Sequence, residues 1–204
     1  MEDISSLTLN RLSVYVRCLR QLQGLGTRRI SSQELASRFH LSAAQIRKDL
    51  AQFGEFGIRG VGYDVDVLRD HLEKLLGLQR EHAAVIVGAG NIGRALALFP
   101  GFNRGAFKVR AIFDNDPEKV GQSMQGLVVR SSDELSEVVR ETGAEIGILA
   151  VPVEAAQENY DALVDAGIRA ILNFAPVQLQ THPEVRMKSV DLLIFLEELA
   201  YFLG

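Results

Sequence analysis

Residues 83–93 read Ala-Ala-Val-Ile-Val-Gly-Ala-Gly-Asn-Ile-Gly, and this stretch decides the fold of the longer part of the chain. Its first five residues are a short apolar run, which predicts a buried strand. The next six match the Gly-x-Gly-x-x-Gly pattern that leads from a strand into a helix in dinucleotide-binding domains. Gly88 permits the tight turn, Gly90 lets the backbone approach a pyrophosphate, and Gly93 lets the helix pack closely on the strand.

The sequence after this glycine pattern alternates between predicted strands and predicted helices. Strands that alternate with helices pair in parallel, because each helix returns the chain to the same end of the sheet. The sequence therefore predicts an α/β fold with a Rossmann-like, doubly wound parallel sheet that is covered on both faces. The strands are expected at 109–113, 127–129, 146–151 and 170–173, and the helices at 94–98, 133–142 and 154–166.

Asp114 is predicted to select the type of nucleotide. It ends the second predicted strand, 21 positions after Gly93, where a carboxylate accepts hydrogen bonds from an adenosine ribose. A carboxylate there repels a 2′-phosphate, so NAD(H) is favoured over NADP(H). Asn91 and Ile92 lie in the glycine loop just before the predicted helix, whose free N–H groups would bind the phosphates. The alternative is a domain of this fold that packs without a nucleotide.

Two more strand ends are expected beside the nucleotide, because ligands of doubly wound sheets bind at the carboxyl ends of the strands. Val151-Pro152 and Asn173-Phe174 occupy these positions and are mostly apolar, although Asn173 can bond an amide. Neither pair has a Cys, a Lys or a His beside it, so we predict no acid or base for hydride transfer. The protein is therefore expected not to be an enzyme. An NAD-dependent oxidoreductase with a helical dimerisation domain is the alternative, and it would need such a group.

The first 80 residues predict a winged-helix domain. Amphipathic spacing predicts a long first helix and then two short helices joined by a tight turn, which is the arrangement of a helix-turn-helix. The glycine-rich stretch 54–65 has β-forming residues on both sides, so it predicts a β-hairpin, the wing. Three of the helices are expected at 7–25, 43–53 and 67–78.

Two capping boxes are predicted at the starts of the short helices. In a capping box, a Ser side chain accepts from a backbone N–H three residues on, and a Glu or Gln side chain reaches back. Ser31 with Glu34 matches this pattern at the first short helix. Ser42 with Gln45 matches it at the second.

A basic segment lies within an acidic protein. The chain has a net charge of −4, yet residues 11–60 carry nine basic and three acidic side chains, a net charge of +6. This asymmetry suggests a polyanionic partner for the segment, and a solvated helix surface is the alternative. Gln45, Arg47 and Lys48 lie near the start of the predicted recognition helix, the part that enters a major groove. A helical module that binds another protein also remains possible.

Other residues extend the predicted DNA-binding surface. Arg59, close to Gly57 and Gly60 at the predicted wing tip, can reach a minor groove. The hydroxyl groups of Ser31 and Ser32 can bond to phosphates. Ala44, in the recognition helix, and Gly60, in the wing, complete the predicted set.

Composition excludes several other classes of protein. The chain has 204 residues, is 47% hydrophobic and has a single cysteine, Cys18. No apolar run approaches the roughly 20 residues that span a bilayer, and no signal peptide is visible, so no membrane association is expected. A single cysteine forms no internal disulfide, and the four scattered histidines form no cluster. We therefore expect no metal site and a reducing, cytoplasmic location.

The end of the chain, residues 191–203, predicts a helix with more apolar surface than one face of a fold requires. This excess suits packing against a second subunit, and a last core helix of its own chain is the alternative.

A series of motifs covers almost the whole chain in a recognisable order. The N-terminal motifs are Ser-Ser-Gln-Glu-Leu-Ala at 31–36, Ala-Gln-Ile-Arg-Lys-Asp-Leu at 44–50, and Phe-Gly-Glu-Phe-Gly with Gly-Val-Gly-Tyr at 53–63. The later motifs are Val-Gly-Ala-Gly-Asn-Ile-Gly-Arg-Ala-Leu at 87–96, Phe-Asp-Asn-Asp-Pro at 113–117, Ile-Leu-Asn-Phe-Ala-Pro at 171–176 and Val-Asp-Leu at 190–192. Together they resemble the Rex family of bacterial redox-sensing transcriptional repressors.

This resemblance implies a function and a division of the chain. A Rex-like protein is a homodimer that binds a palindromic operator when NADH is scarce and releases it when NADH binds, so NADH and NAD+ are its expected ligands. The expected division is a winged-helix DNA-binding domain at 1–80, a Rossmann-like NAD(H)-binding domain at 81–190 and a domain-swapped dimerisation helix at 191–204. A CoA- or nucleotide-binding module without DNA contact is the alternative, and it would not need the basic recognition helix.

The resemblance also implies a switch between the subunits. Arg17 and Asp191 match positions that form a ligand-sensitive ion pair between subunits in the family. A tyrosine that often follows the nucleotide-binding helix in the family is replaced here by Phe99. Because Phe99 has no hydroxyl group, it cannot join that ion pair.

Overall fold

The structure, a computed structural model, describes residues 4–58, 60–102, 105–124 and 126–203. Contacts between residues divide the chain into two units, Met1–Arg80 and Glu81–Gly204. The first unit has one hydrophobic core, and the second has a separate core on each face of its sheet.

The helices of the first unit begin at side chains that accept hydrogen bonds from the first backbone N–H groups. Ser5 accepts from the N–H of Thr8, and Ser31 with Glu34 forms the complete capping box that the sequence predicts. Asp64 accepts from two N–H groups of the helix that follows it. The helices are α1 (Ser6–Gly24), α2 (Ser32–Phe39), α3 (Ala43–Ala51) and α4 (Val65–Leu75).

A small antiparallel sheet completes the first unit. Its strands are β1 (Arg29–Ile30), β2 (Gly57–Ile58) and β3 (Gly62–Asp64), in the order β1-β3-β2. The β2–β3 hairpin is the predicted wing, and α2 with α3 is the predicted helix-turn-helix. Leu12, Leu19, Ile46 and Leu72 have no exposed surface and join α1, α3 and α4 in one core.

The second unit is built on a seven-stranded sheet within its described residues. Setting aside the short antiparallel strand β6, the parallel strands have the 3-2-1-4-5-6 order of a Rossmann fold, which confirms the predicted fold class. The strand order reverses between β4 and β8. The strands are β4 (His82–Val87), β5 (Phe107–Asp114), β6 (Ser123–Met124), β7 (Leu127–Ser131), β8 (Ile146–Leu149), β9 (Ala170–Asn173) and β10 (Arg186–Ser189), in the order β10-β9-β8-β4-β5-β7-β6.

Alternate residues of the central strand β4 enter different cores, because successive side chains of a strand point to opposite faces. Val85 and Val87 pack with α6 and α7 on one face, and Ala84 and Ile86 pack with α5 on the other. The sheet therefore has helices on both faces. The helices are α5 (Asn91–Leu98), α6 (Leu135–Thr142), α7 (Val153–Asp165) and α8 (Leu192–Tyr201).

The structure differs from the sequence predictions mainly at the edges of elements. Strands β6 and β10 are not predicted, because β6 has two residues and β10 is an edge strand of mostly exposed polar side chains. Helix α5 begins at Asn91 instead of residue 94, with Gly90 as its N-cap residue. Strand β8 ends at Leu149 instead of residue 151, because Pro152 has no N–H group for a ladder and also restricts the residue before it.

Candidate functional site

The glycine loop after β4 lies where the strand order reverses, which is where doubly wound folds bind ligands. A side chain at Gly88 would overlap the carbonyl group of Ala150, and one at Gly93 would overlap the carbonyl group of Gly88. The fold itself therefore requires both of these glycines. A Cβ atom at Gly90 would meet no atom within 4 Å, so packing does not explain this glycine. The open space beside its backbone fits the close approach of a phosphate group.

A cavity of about 300 Å³ opens beside this loop. It brings together five of the predicted nucleotide-binding residues, Gly88, Gly90, Asp114, Val151 and Pro152. The other lining residues are Val87, Asn115, Asp116, Lys119, Ser132, Ala150, Ala155 and Asn159. The carboxyl ends of four parallel strands, β4, β5, β7 and β8, therefore meet at one cavity, whose lining includes polar and apolar side chains.

Asp114 ends β5 and has only 7% of its surface exposed. Its Oδ2 accepts a hydrogen bond from the N–H of Ala89 at 2.8 Å, and its Oδ1 accepts from the N–H of Asp116 at 2.9 Å. Lys119 Nζ lies 3.2 Å from Oδ2 and 3.3 Å from the carboxylate of Asp116. The carboxylate thus holds the glycine loop in place and still faces the cavity.

The environment of Asp114 keeps its carboxyl group ionised. Burial alone raises the pKa of this group, but the hydrogen bonds from Asp116, Ala89 and Lys119 together outweigh burial and bring the pKa below its usual value. The same contacts raise the pKa of Lys119. The cavity therefore presents a fixed negative charge beside a fixed positive charge at neutral pH.

The two predicted residues at the end of β9, Asn173 and Phe174, do not line this cavity. Asn173 has no exposed surface, and its Nδ2 donates to the carbonyl of Ala175 at 3.0 Å and to Ser189 Oγ at 3.2 Å. Its Oδ1 accepts from the N–H of Ala175 at 2.9 Å. The amide of Asn173 therefore shapes the turn after β9. Phe174 is half-buried against the core on the α5 face.

The start of α5 is exposed. Asn91 and Ile92 lie in its first turn, and no side chain in the described part of the chain caps this helix at Gly90. The first N–H groups of a helix have no partner within it, so they remain available to an anion.

The predicted recognition helix α3 exposes Ala44, Arg47 and Lys48 on one side and buries Ile46 and Leu50 on the other. Arg47 Nη1 donates to Ser32 Oγ at 2.9 Å, which links α3 to the start of α2. Ser31 and Ser32 are half-buried at that start. The predicted DNA-binding residues of the helix-turn-helix therefore lie along one continuous surface.

The wing carries the two remaining predicted DNA-binding residues. Gly60 is exposed, with a positive φ of 83°. Arg59 lies outside the described residues, so its role stays a prediction.

The second predicted capping box is half formed. Ser42 accepts a hydrogen bond from the N–H of Gln45, as expected, but the Gln45 side chain does not reach back. Its Nε2 donates instead to Asp49 Oδ1 at 2.7 Å, one turn further along α3. A hydrogen bond to an ionised carboxylate is stronger than one between two neutral groups. The amide of Gln45 therefore bonds to Asp49 instead of to the backbone at the start of the helix.

We call Arg11, Tyr15, Gln45 and Asp49 the Asp49 cluster. Arg11 donates to both oxygens of Asp49, from Nε at 2.6 Å and from Nη2 at 2.7 Å, and the Tyr15 hydroxyl donates to Oδ2 at 2.8 Å. With the bond from Gln45, the carboxylate accepts four hydrogen bonds, which is its full capacity. The cluster fastens α3 to α1.

The hydrogen bonds of the cluster determine how its groups titrate. Burial raises the pKa of Asp49, but the bonds from Arg11, Gln45 and Tyr15 together bring it below its usual value. Burial and the bond to Asp49 raise the pKa of Tyr15. Asp49 is thus an anion and Tyr15 a neutral donor at any physiological pH.

The helix α8 has no buried residue. Leu193, Ile194, Phe195 and Leu196 are each about 60% exposed, so the interpretation of α8 as a core helix of its own chain is wrong. Asp191 caps α8 by accepting from the N–H of Leu193 at 2.9 Å.

The other residues of the predicted switch are exposed. Arg17 lies on the surface of α1, and its ion pair with Asp191 of a second subunit stays a prediction. Phe99 follows α5, is 54% exposed and meets Phe102 edge-on, with 5.5 Å between the ring centroids.

Two features are absent from the part of the chain that the structure describes. No group of three or more His, Cys, Asp or Glu side chains is arranged to hold a metal ion. No helix is long and apolar enough to cross a membrane.

The structure adds two residues that the sequence analysis does not single out. Asp49 is one, and its signal is an acid four residues after Gln45 on a helix, between the core residues Ile46 and Leu50. Lys119 is the other, and it has no signal in the sequence, because its proximity to Asp114 depends on a turn.

The fold and the two sites define the class of the protein, a winged-helix DNA-binding unit joined to a dinucleotide-binding unit. Residues 3–51 match the family described as "Putative DNA-binding protein N-terminus", and residues 79–177 match the family of CoA binding domains.

Curated relatives match nearly the whole chain. The chain is 47% identical over 201 residues to the redox-sensing transcriptional repressor Rex of Desulfitobacterium hafniense, covering 98% of this chain and 96% of that protein. It is 45% identical to the repressor Rex 1 of Thermotoga maritima, with the same two coverages. The chain belongs to the Rex family of redox-sensing transcriptional repressors.

Solved structures agree with this assignment. The Rex-family repressor RSP, solved with β-NAD+ and operator DNA, is 36% identical and matches with a TM-score of 0.94, over 100% of this chain and 94% of that one. The same repressor solved with β-NADH is 35% identical and has a TM-score of 0.88, over 100% and 95% of the two chains.

Proposed function

We propose that this chain forms a homodimer that binds palindromic operator DNA and releases it when NADH binds. The observation that carries the proposal is that one chain holds both required sites. The exposed basic side of α3 can contact DNA, and the cavity beside Gly90 can hold a dinucleotide. The relative RSP has been solved with NAD+ and operator DNA and also with NADH, which supports the same pair of ligands here.

DNA contact is assigned to the helix-turn-helix and the wing. Arg47 and Lys48 are exposed on α3 and supply charge for phosphates and base edges. The remaining assigned residues are Ser31, Ser32, Ala44, Gln45, Arg59 and Gly60. This assignment corresponds to residues 1–80 acting as the DNA-binding domain.

Nucleotide binding is assigned to residues 81–190. The backbone at Gly90 and the first turn of α5 would hold the pyrophosphate, and Asp114 would accept from the adenosine ribose. The ionised Asp114 disfavours a 2′-phosphate, so NAD(H) is the expected ligand. Bound nucleotide supplies the redox signal, because its nicotinamide is neutral in NADH and cationic in NAD+.

The difference in charge allows the site to distinguish the two forms. Val151 and Pro152 give the cavity an apolar wall after β8, and a buried cation without a partner is disfavoured beside such a wall. NADH is therefore expected to bind more tightly than NAD+. Only this difference in affinity can shift the protein between conformations. Equal affinities in isothermal titration calorimetry would contradict the account.

The helix α8 is assigned to dimerisation. A row of apolar side chains this exposed needs a cover, and a second copy of the chain provides one by exchanging α8. Deletion of the residues after Val190 should give monomers or insoluble protein, measured by light scattering after gel filtration. A truncated dimer that still binds DNA would contradict the exchange.

The switch is assigned to Arg17 of one subunit and Asp191 of the other. Because Phe99 has no hydroxyl group, it would contribute only apolar contact to this switch. We further propose that the protein is not an enzyme, since the cavity lining holds no His or Cys and its one Lys, Lys119, is paired with Asp114 and Asp116. Its relatives are named as transcriptional repressors. This supports both the proposed absence of an enzymatic activity and a location in the cytoplasm.

Fluorescence anisotropy tests the proposed function. A palindromic duplex, selected from a random pool by the protein itself, is titrated at fixed salt with NAD+ or NADH present, because phosphate contacts depend steeply on ionic strength. NADH should dissociate the complex and NAD+ should not. A variant with Arg47→Ala and Lys48→Ala should lose DNA binding and keep NADH binding. Arg140 is an exposed cation on α6, so Arg140→Ala is the control and should keep both. DNA binding that ignores both nucleotides would contradict the proposal.

A further inference from the structure

The amide group of Gln45 is held in one orientation by a buried carboxylate. Its Nε2 donates to Asp49 Oδ1 at 2.7 Å, and Asp49 has no exposed surface. A carboxylate accepts hydrogen bonds and has none to donate. The nitrogen of the amide must therefore face Asp49, and the oxygen Oε1 faces away from it.

The rest of the Asp49 cluster prevents the amide from turning over. Arg11 and Tyr15 fill the other acceptor positions of Asp49 with three hydrogen bonds of 2.6 to 2.8 Å. A reversed amide would place its oxygen against a carboxylate oxygen and would leave one buried acceptor position empty. Both changes are unfavourable, because a buried acceptor that loses its partner keeps its full cost of desolvation.

We propose that Asp49 is a positioning residue that makes Gln45 select an exocyclic amine in the major groove. This rests on the proposed function, because it requires α3 to lie in the groove. Adenine N6 and cytosine N4 donate hydrogen bonds there, whereas guanine O6 and thymine O4 accept them. The outward oxygen of Gln45 accepts from the first two bases and repels the last two. A glutamine free to rotate would accommodate either kind.

This selection is separate from the general affinity for DNA. Arg47 and Lys48 are exposed cations, and cations bind phosphates of any sequence with a strong dependence on salt. Gln45 is neutral and adds no such attraction. A change at Gln45 should therefore alter the preference at one base, and a change at Lys48 should weaken binding to all duplexes.

Deletion of single amino groups from the DNA tests the proposal. A duplex selected from a random pool is made with one adenine at a time replaced by purine, which lacks the 6-amino group, or one cytosine by pyrimidin-2-one, which lacks the 4-amino group. One such deletion should weaken binding of the wild type about fivefold per half-site, the value of a single hydrogen bond. The same deletion should cost Gln45→Met nothing, since methionine has similar length and no amide.

Variants at both ends of the Gln45–Asp49 bond test the role of Asp49. In Asp49→Asn, the new amide can also donate, so Gln45 can turn over and present its nitrogen to a base. This variant should therefore lose the discrimination against guanine or thymine that the wild type shows when one of them replaces the selected base. Gln45→Glu leaves the cluster's buried residues unchanged and has only oxygen acceptors, so it should keep the penalty for removing the amine and the discrimination against guanine and thymine. Lys48→Ala is the control, with weaker binding to every duplex and the penalty intact.

Three results would overturn the proposal. The first is a Gln45-dependent penalty for removing guanine O6 or thymine O4. The second is a Gln45→Met variant with the same base preferences as the wild type. The third is an Asp49→Asn variant that discriminates against guanine and thymine as strongly as the wild type. In all three cases the protein still binds its operator and responds to NADH. A protein that selects no duplex from the pool would overturn the proposed function together with this inference.

Discussion

Asp49 and Asp114 are two buried carboxylates in different units, and they differ in what they leave open. Asp49 has no exposed surface and accepts four hydrogen bonds, all from side chains. Asp114 accepts two bonds from backbone N–H groups and one from Lys119, and its carboxylate faces a cavity. The hydrogen-bonding capacity of Asp49 is therefore full, whereas Asp114 can accept one more hydrogen bond.

The difference separates two uses of the same chemical group. A carboxylate whose capacity is full can only position its neighbours, and Asp49 positions the recognition helix and Gln45. A carboxylate with spare capacity beside open space can bind a ligand, and Asp114 also holds the glycine loop against which that ligand would lie. Each use predicts a different response to mutation.

Asp49→Ala should have the largest effect, and it should act on stability. Arg11, Tyr15 and Gln45 would lose their shared acceptor, and we expect a loss of about 3 kcal/mol in the free energy of unfolding. The loss stays below that of a fully buried pair because the Arg11 side chain is 35% exposed and can turn to water. Urea unfolding of the full chain measures it. A loss below about 1 kcal/mol would mean that the cluster does not fasten α3 to α1.

Asp114→Asn should act mainly on nucleotide binding. The variant keeps the shape but loses the charge that the ribose hydroxyl groups would meet, so NADH affinity should fall about tenfold. The preference for NADH over NADPH should also narrow, because the 2′-phosphate no longer meets an anion. Isothermal titration calorimetry with both nucleotides checks this. An unchanged preference would remove Asp114 from the selection of nucleotide.

Gly90→Ala separates the ligand site from the fold. A methyl group at this position meets no protein atom, so the free energy of unfolding should change by less than about 1 kcal/mol. A phosphate close to the backbone would meet that methyl group, so NADH affinity should fall at least about tenfold. Gly93→Ala is the contrasting variant, since its methyl group overlaps the Gly88 carbonyl and should destabilise the second unit. Full NADH affinity in Gly90→Ala would place the pyrophosphate elsewhere.

The loss of stability at low pH should be the smallest of these effects. Hydrogen bonds hold the pKa of both carboxyl groups below the usual 3.8. Their contribution is therefore complete above about pH 5 and is lost as the pH falls through the lowered pKa of each folded carboxyl group. Thermal unfolding from pH 7 to pH 2 should show a plateau and then a decline. The decline should be shallower in Asp49→Asn, and an identical decline would mean that Asp49 does not contribute.

The sequence predicts those features that depend on local patterns. The glycine pattern at 88–93 follows an apolar strand, so it predicts the Rossmann fold and the site of the cavity. Ser31 and Glu34 predict a capping box that the structure contains. The edge strand β10 is not predicted, because an edge strand of exposed polar residues has no apolar run to mark it.

Features that depend on distant contacts could not be predicted. The sequence assigns Gln45 to a capping box, but a buried carboxylate one turn away takes its amide, and the burial of Asp49 depends on packing against α1. Asn173 is a suitable partner for an amide by its position, yet its own turn engages both ends of its side chain. The exposure of α8 likewise depends on which apolar faces the other elements cover, and contacts between distant residues determine that.

The most direct test of the central claim, that one chain couples dinucleotide binding to DNA binding, is the NADH affinity of the protein with and without a selected operator duplex. Two sites that are coupled must affect each other by the same factor in equilibrium affinity. Isothermal titration calorimetry at fixed salt should therefore show that bound DNA weakens NADH binding by the factor with which NADH weakens DNA binding. An NADH affinity that is the same with and without the duplex would contradict the account.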